Sequence, residues 1–567
     1  RPFPPISQHS PRASAWPAPS PFPAAMSTIE KKSFNIYNEV GSDECAYHLD
    51  QCETDAEKAA ILEDLANRPE SELLEYLDQI DNVLRAGCSP EVQALVCRAF
   101  ANAGEAALPY RSDITFLIQN DSSEVKYQAC VALAAMGPRA GDISKDLVAG
   151  ILDDPSEMVR CAACHAMGVF QATEFASNVK KLLSDSSPEV QGAACLALAG
   201  MGEAGQADDI TSKITEPRSR LQAITAIGTL GSQKSEHCEK VVDCLADQDA
   251  DVRLAAARQC GQMAAAVRQS SSAWNRLSSL LGDTEGHTRC ATALALGYMG
   301  KEAADMSDSV KDMLEDDFVD SGVTALTIGG GRARVPPSMR KAKCAAAAAL
   351  GLIVQDGAEV AADVLAAEVA NLLNDEDWEI RMVGCEALAM MGEKGRDQGT
   401  RVASVFDDER FAVRAKAALA IGKMKDAENA SGLADLVGDN CPSVREEAML
   451  ALAELDDEGA EYIEKVFEKL NDFSPTVRAA SMTALGRMGQ KGACYAGAIA
   501  AKLMEDYDAP FVRVAALEAL GNMEDRGAAY ADVVAEYLQD SQPSVRAAAA
   551  ASLAKMGPDG EVYAIKN

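Results

Sequence analysis

The sequence predicts an all-α protein, a right-handed α–α superhelix built from about 14 stacked helical hairpins. Three observations carry this expectation: a short motif recurs along most of the chain, its apolar positions fall three or four residues apart, and proline and glycine bracket it. SPEVQGAACLALAGMG at 187–202, SPTVRAASMTALGRMG at 474–489 and QPSVRAAAAASLAKMG at 542–557 are three copies.

Each copy opens on an anchor. Aligned there, the 14 copies fall at Val92, Val125, Val159, Val190, Ser219, Val252, Thr288, Ala342, Ile380, Val413, Val444, Val477, Val512 and Val545. Spacings lie between 29 and 38 residues, except for 54 from Thr288 to Ala342. Proline stands two residues before the anchor at Pro90, Pro188, Pro217, Pro442, Pro475, Pro510 and Pro543, where a helix's first turn needs no N–H. Glycine follows at Gly137, Gly202, Gly300, Gly392 and Gly489, the expected helix stop. Another helical stretch precedes each anchor, so the unit is a hairpin. A lone hairpin cannot bury both apolar stripes, and stacking is required.

A charge column reinforces the stacking. Asp lies five residues before the anchor at Asp154, Asp185, Asp247, Asp283, Asp375, Asp408, Asp439, Asp472 and Asp540. A basic residue follows the anchor in 12 of the 14 copies, including Arg160, Arg253, Arg381, Arg445, Arg478 and Arg546. These predict a ladder of Asp–Arg contacts between neighbouring hairpins, with the carboxylates also serving free N–H groups at the second helix. Its expected role is structural.

The short period, the V-R-x-A-A-x-x-A-L-G-x-M-G second helix and the Asp–Arg columns resemble HEAT repeats over about 89–557. The subtype they are most similar to is the PBS-lyase HEAT-like repeat, first associated with bilin lyases. The resemblance implies a solenoid with a long concave binding surface. It also implies, as an alternative, a bilin lyase or chromophore-handling chaperone.

Composition narrows the partners. With a net charge of −34, the surface repels phosphate backbones and anionic lipid, so neither nucleic acid nor membrane is an expected partner. Proteins are expected, basic ones included. No apolar stretch approaches the ~18 residues of a membrane span. Sixteen cysteines imply a reducing compartment, the cytoplasm, with organelle import left open. Cys97, Cys130, Cys164, Cys195 and Cys385 share one position five residues after their anchors, where alanine also occurs, so they read as small core residues. The Cys161–Cys164 pair lacks the second pair a zinc site needs. No His-Glu dipeptide, of the kind deoxyhypusine hydroxylase uses for iron, is present, nor G-x-S-x-G, nor H-E-x-x-H. No catalytic residue, cofactor or metal is expected. Methionine recurs eleven residues after nine anchors, from Met136 to Met556, and reads as core.

The long spacing marks a loop insertion near 318–340, VDSGVTALTIGGGRARVPPSMRKAK at its centre, with Gly329–Arg332 read as a flexible turn. It gathers Arg332, Arg334, Arg340, Lys341 and Lys343 in a very acidic chain, and is expected to dock an acidic partner or to fold onto the protein's own acidic surface. Residues 1–25 hold eight of the 22 prolines and read as a disordered leader. Residues 26–87 read as a helical N-terminal cap, and 88–567 as the solenoid. No cap is evident at the C-terminal end, which is expected to be covered by a partner or by self-association. The expected function is that of a scaffold or adaptor binding proteins along the concave surface. A structural subunit of a large assembly is a further alternative.

Overall fold

The computed structural model describes residues 49, 52, 54–66, 73–231, 235–320, 326–328, 331–333, 336–358, 362–505 and 509–564. The Pro-rich leader and the start of the expected cap lie outside them. The chain forms two compact units: 1–280 with 320–336, and 281–319 with 337–567.

Within each unit the motif folds as helical hairpins. The first helix is commonly an α-turn pair tightening into a 3₁₀ turn, as in Ala176–Lys181 followed by Leu182–Ser184. An extended residue then turns the chain into the second helix, Pro188–Gly200 in that repeat. Thirteen anchors lie in such second helices; Ser219 sits just ahead of one. Pro90, Pro188, Pro442, Pro475, Pro510 and Pro543 each open their helix, where the missing N–H costs nothing. Pro217 does not, because the helix after it starts only at Arg220. Gly137 and Gly202 close theirs at φ of +87° and +73°, in the left-handed region that glycine alone enters freely.

Second helices of successive repeats stack on one another within each unit, and small residues make this possible. A Cβ at Gly168, Gly422 or Gly486 would lie 2.8 Å from the Cα of Ala197, Ala451 or Ala519 in the next repeat. Glycine nine residues after the anchor thus meets alanine seven residues after the following one. The methionine stripe is buried throughout, Met136, Met299 and Met424 at 1% exposure or less. Cys97, Cys130, Cys164, Cys195 and Cys385 are all fully buried.

Ahead of the first anchor, Asp55–Leu65 opens with a reciprocal Thr54–Glu57 cap and packs against Pro90–Ala103. Its Leu62 and Leu65 are fully buried. At the other end Pro558–Ala564 forms a short helix against Pro543–Lys555, where the sequence offered no cap signal. The insertion is more ordered in its backbone than a loop: β1 (Leu326–Ile328) and β2 (Gly331–Ala333) pair antiparallel, with Thr327 opposite Arg332. Gly331 and Arg332 therefore belong to a strand rather than to a turn.

Valine at Gly422 should force the two helices apart, since a backbone atom cannot give way as a side-chain tip can. We expect a loss of about 2 kcal/mol or more by urea unfolding, typical of overpacking. Gly205→Ala, where nothing lies within 4 Å of the new Cβ, should be neutral within about 0.5 kcal/mol.

Candidate functional site

The turn between the two helices of a repeat is built on its aspartate. One oxygen accepts the backbone N–H two residues on: Asp185 from Ser187 at 2.8 Å, Asp375 from Asp377 at 2.9 Å and Asp472 from Ser474 at 3.0 Å. Both oxygens together face the preceding repeat. Arg160 donates Nε and Nη2 to Asp185 at 2.9 and 2.8 Å, and Arg414 makes the same fork on Asp439 at 2.8 Å for both. The remaining Nη1 of Arg160 returns to its own turn, at the Asp154 carbonyl, 2.9 Å away. Each guanidinium thus ties its own turn to the next one.

The other ladder residues take corresponding places. Asp154 receives Lys126 and Asp247 receives Arg220. Asp375 receives Lys343 at 3.2 Å, Arg381 reaches Asp408, Asp472 receives Arg445 at 2.7 Å, and Asp540 receives Arg513. Arg253, Arg478 and Arg546 each donate Nη1 to the carbonyl of Asp247, Asp472 and Asp540 in their own turns. Burial alone would raise the Asp439 carboxyl, but the Arg414 fork and the Cys441 amide hold it below the usual range. Asp408 and Asp472 are lowered against burial in the same way.

The insertion leaves and rejoins the array at one of these turns. Its neck is closed by a bridge between Val319 and Lys341 and by the Ala342 N–H donating to the Phe318 carbonyl at 3.1 Å. Three of its five expected basic residues turn onto carboxylates of the chain itself. Arg340 pairs with Glu379, Lys341 with Asp377 and Glu379, and Lys343 with Asp317 and Asp375. Lys341 is 3% exposed and Glu379 4%. A shallow recess of about 240 Å³ beside them is lined by Phe318, Val319, Ile380 and the acidic turns. Arg332 lies on β2; its side chain and the whole of Arg334 fall outside the described residues. The structure brings Arg340, Lys341 and Lys343 together, then, but engaged.

Aromatic residues at the turns and helix starts of the second unit escaped the sequence reading. Phe411, Phe473 and Phe511 are 54%, 78% and 49% exposed. Beneath Phe473, the rung guanidinium of Arg445 lies 5.0 Å from the ring centroid, and Arg410 sits 5.6 Å from that of Trp378. A usable signal existed: Phe411, Phe473 and Phe511 stand in the few residues before their anchors, where other repeats hold mostly proline or polar residues. Histidines and cysteines contribute no comparable site. Burial lowers His165 to about 4, and it raises the Cys130 and Cys195 thiols to about 12. Among the described residues no group of three or more His, Cys, Asp or Glu is placed to hold a metal ion.

Stacked hairpins joined turn to turn by an Asp–Arg ladder define an α-solenoid of repeats. A family model described as HEAT repeats matches 144–217, 238–327, 400–463 and 463–554, more than half of the sequence. The chain belongs to the HEAT-repeat family. No curated protein matches it. Among solved structures, importin beta in an ammonium sulfate condition is 14% identical, over 91% of this chain and 73% of its own, with a TM-score of 0.49. Kap121p bound to Nup53p is 12% identical, over 92% and 67%, with a TM-score of 0.55. Yeast importin-beta, Kap95p, is 14% identical over 93% and 74%, with a TM-score of 0.49. At these identities the likeness is one of fold.

Two outcomes test the ladder. Arg445→Met would leave the Asp472 carboxylate buried without its cation, since the pair is only 4% and 6% exposed; we expect about 3 kcal/mol lost in urea unfolding. Because the carboxyls of Asp154, Asp185, Asp408, Asp439, Asp472 and Asp540 are held low in the folded chain, their contribution is complete above the unfolded value of about 4 and disappears as pH falls through the lower folded values. Urea midpoints measured from pH 6 down to 2.5 should fall steeply below about pH 4, and less steeply in Arg414→Gln.

Proposed function

We propose that this solenoid is a non-catalytic scaffold or adaptor that holds protein partners along one face of the array, the concave face in a solenoid of this kind. The observation that carries the reading is the exposure of Phe411, Phe473 and Phe511 beside the ladder residues Arg414, Asp472 and Arg513, which are already paired. Exposed aromatics spaced along a rigid edge are costly in water and useful against a partner, where rings supply contact area at low entropic cost. The net charge of −34 favours partners with basic segments. Kap121p, whose fold is similar, has been crystallised bound to Nup53p, which is consistent with a solenoid of this length receiving a protein. No helix of the described residues is long and apolar enough to cross a membrane. The thiol-rich core suits the reducing cytoplasm.

The insertion takes a secondary part in this reading. Its neck closes on itself, and the rungs on either side, Arg289–Asp316 and Lys343–Asp375, are made by residues outside the excursion. Deleting 322–337 should therefore leave the melting temperature within about 1 °C of the parent, a shift of about 1 kcal/mol in a chain of this size. Any loss of partner binding in that variant would then belong to the insertion itself.

The deciding experiment captures partners of the tagged full chain from its native extract at low and high salt, beside a Phe411→Asp, Phe473→Asp, Phe511→Asp variant. A defined partner set retained by the parent and weakened about tenfold or more in the variant, with folding unchanged by circular dichroism, is the expected result. Partners retained equally by both would refute the aromatic edge. An eluate without protein but with visible bilin absorbance would replace the scaffold reading with chromophore handling.

A further inference from the structure

One repeat interface of the first unit is built unlike its neighbours. The helix Arg220–Thr229 has 10 residues, whereas Pro188–Gly200 before it and Ala250–Gln262 after it have 13 each. Its preceding residue, Ser219, is helical at φ −105°, ψ −3°, whereas Ser187 and Asp249 are extended at ψ 122°. Glu216 follows the 3₁₀ turn there as Asp185 and Asp247 do in neighbouring repeats, but it lies three residues before Ser219 rather than five, and it pairs with Lys213 in its own turn at 2.8 Å. From the preceding repeat comes Gln191 in place of Arg or Lys. Its Nε2 still donates to the Asp185 carbonyl at 2.8 Å, but it brings no cation to the next turn.

The interior of this interface is also polar without being satisfied. Ser219 replaces the valine anchor, is 0% exposed, and its Oγ finds no hydrogen-bond partner. Oε1 of Gln191, Gln206 and Gln222 is likewise buried and unpartnered. Four of the 12 such atoms among the described residues fall between Gln191 and Gln222, so the defect is concentrated here rather than spread along the array. Gln222 lies across the preceding helix so closely that a Cβ on Gly192 would sit 3.0 Å from its Cγ. One repeat later the ladder resumes with Arg220 on Asp247.

We infer that the interface between Pro188–Gly200 and the hairpin 204–229 is a built-in opening point of the first unit, at which the array parts or bends locally. Solenoid stability is a sum of nearest-neighbour terms, and such an array opens where one term is smallest. Separating the repeats on either side breaks a carboxylate–guanidinium contact, Arg160 on Asp185 or Arg220 on Asp247. Opening here breaks none, and it gives water to four acceptors that have no partner in the closed form. Apolar packing from Ala194, Leu198, Ile224 and Ile227, all fully buried, holds the interface shut most of the time. The inference is independent of the scaffold reading, because it concerns the array without any partner.

Hydrogen exchange read by mass spectrometry on the full chain tests it. Peptides within 204–229 should exchange about tenfold faster than those within 173–200 and 250–262. Gln191→Arg, which offers Glu216 a cation, and Ser219→Ala, which removes the buried hydroxyl without adding volume, should each slow exchange in 204–229 alone. Arg160→Gln places the same ladder defect one repeat earlier and should speed exchange in 173–200. Equal rates across the three hairpins in the parent would overturn the inference. So would Gln191→Arg and Ser219→Ala variants that keep the parent's circular dichroism and melting temperature but exchange no more slowly.

Discussion

The aspartate at the turn of most repeats organises the molecule, because a single short side chain meets two demands at once. One oxygen accepts an amide two residues ahead, which sets the extended residue from which the second helix starts. Both oxygens together take the cation of the preceding repeat, and the same cation fastens its own turn through a carbonyl. Local conformation and inter-repeat register are therefore set by one group. Where Glu216 stands at the end of a turn two residues shorter, the helix starts late, at Arg220, and Gln191 of the preceding repeat supplies no rung.

Register in turn permits the close stacking of second helices. Glycine meets alanine backbone to backbone only if neighbouring helices are offset by the correct two residues, and a slip of one residue would oppose larger side chains there. Close approach explains the low aromatic content, 5%, and the use of cysteine as a small apolar residue. It also gives each repeat a thin core, so that stability accumulates along the array rather than residing in one centre. With interior positions given over to packing and turn charges to the ladder, the residues left for the proposed recognition are those displayed beside the rungs.

The two departures from the pattern differ in kind. The insertion is tolerated because it begins after Asp316 and Phe318 have completed their turn and ends before Lys343 makes its rung, so the ladder passes beneath it. The stretch around Gln191–Gln222 adds no residues but alters the ladder itself, replacing the cation, the aspartate and the valine anchor of a single interface. An excursion leaves the neighbouring interfaces intact, whereas substitution of the linking groups weakens one of them.

Much of this was legible from residues alone. Helical periodicity, proline at the helix start, glycine at its stop and the Asp–Arg columns are repeated local signals, and repetition let them be read without coordinates. The N- and C-terminal helices beyond the motif, the strand pairing within the insertion and the exposure of Phe411, Phe473 and Phe511 lacked such repetition. Sequence also grouped Arg332, Arg334, Arg340, Lys341 and Lys343 by proximity along the chain, which says nothing about where each charge turns. By itself, then, the sequence determined the repeat, its stacking and the residues of the ladder, because these depend on short-range spacing that recurs. Only the tertiary structure decided which carboxylate each cation meets, that Lys341 is buried on Asp377 and Glu379, and that Gln191 reaches no partner turn, because those outcomes depend on groups 25 or more residues apart being brought to hydrogen-bond distance.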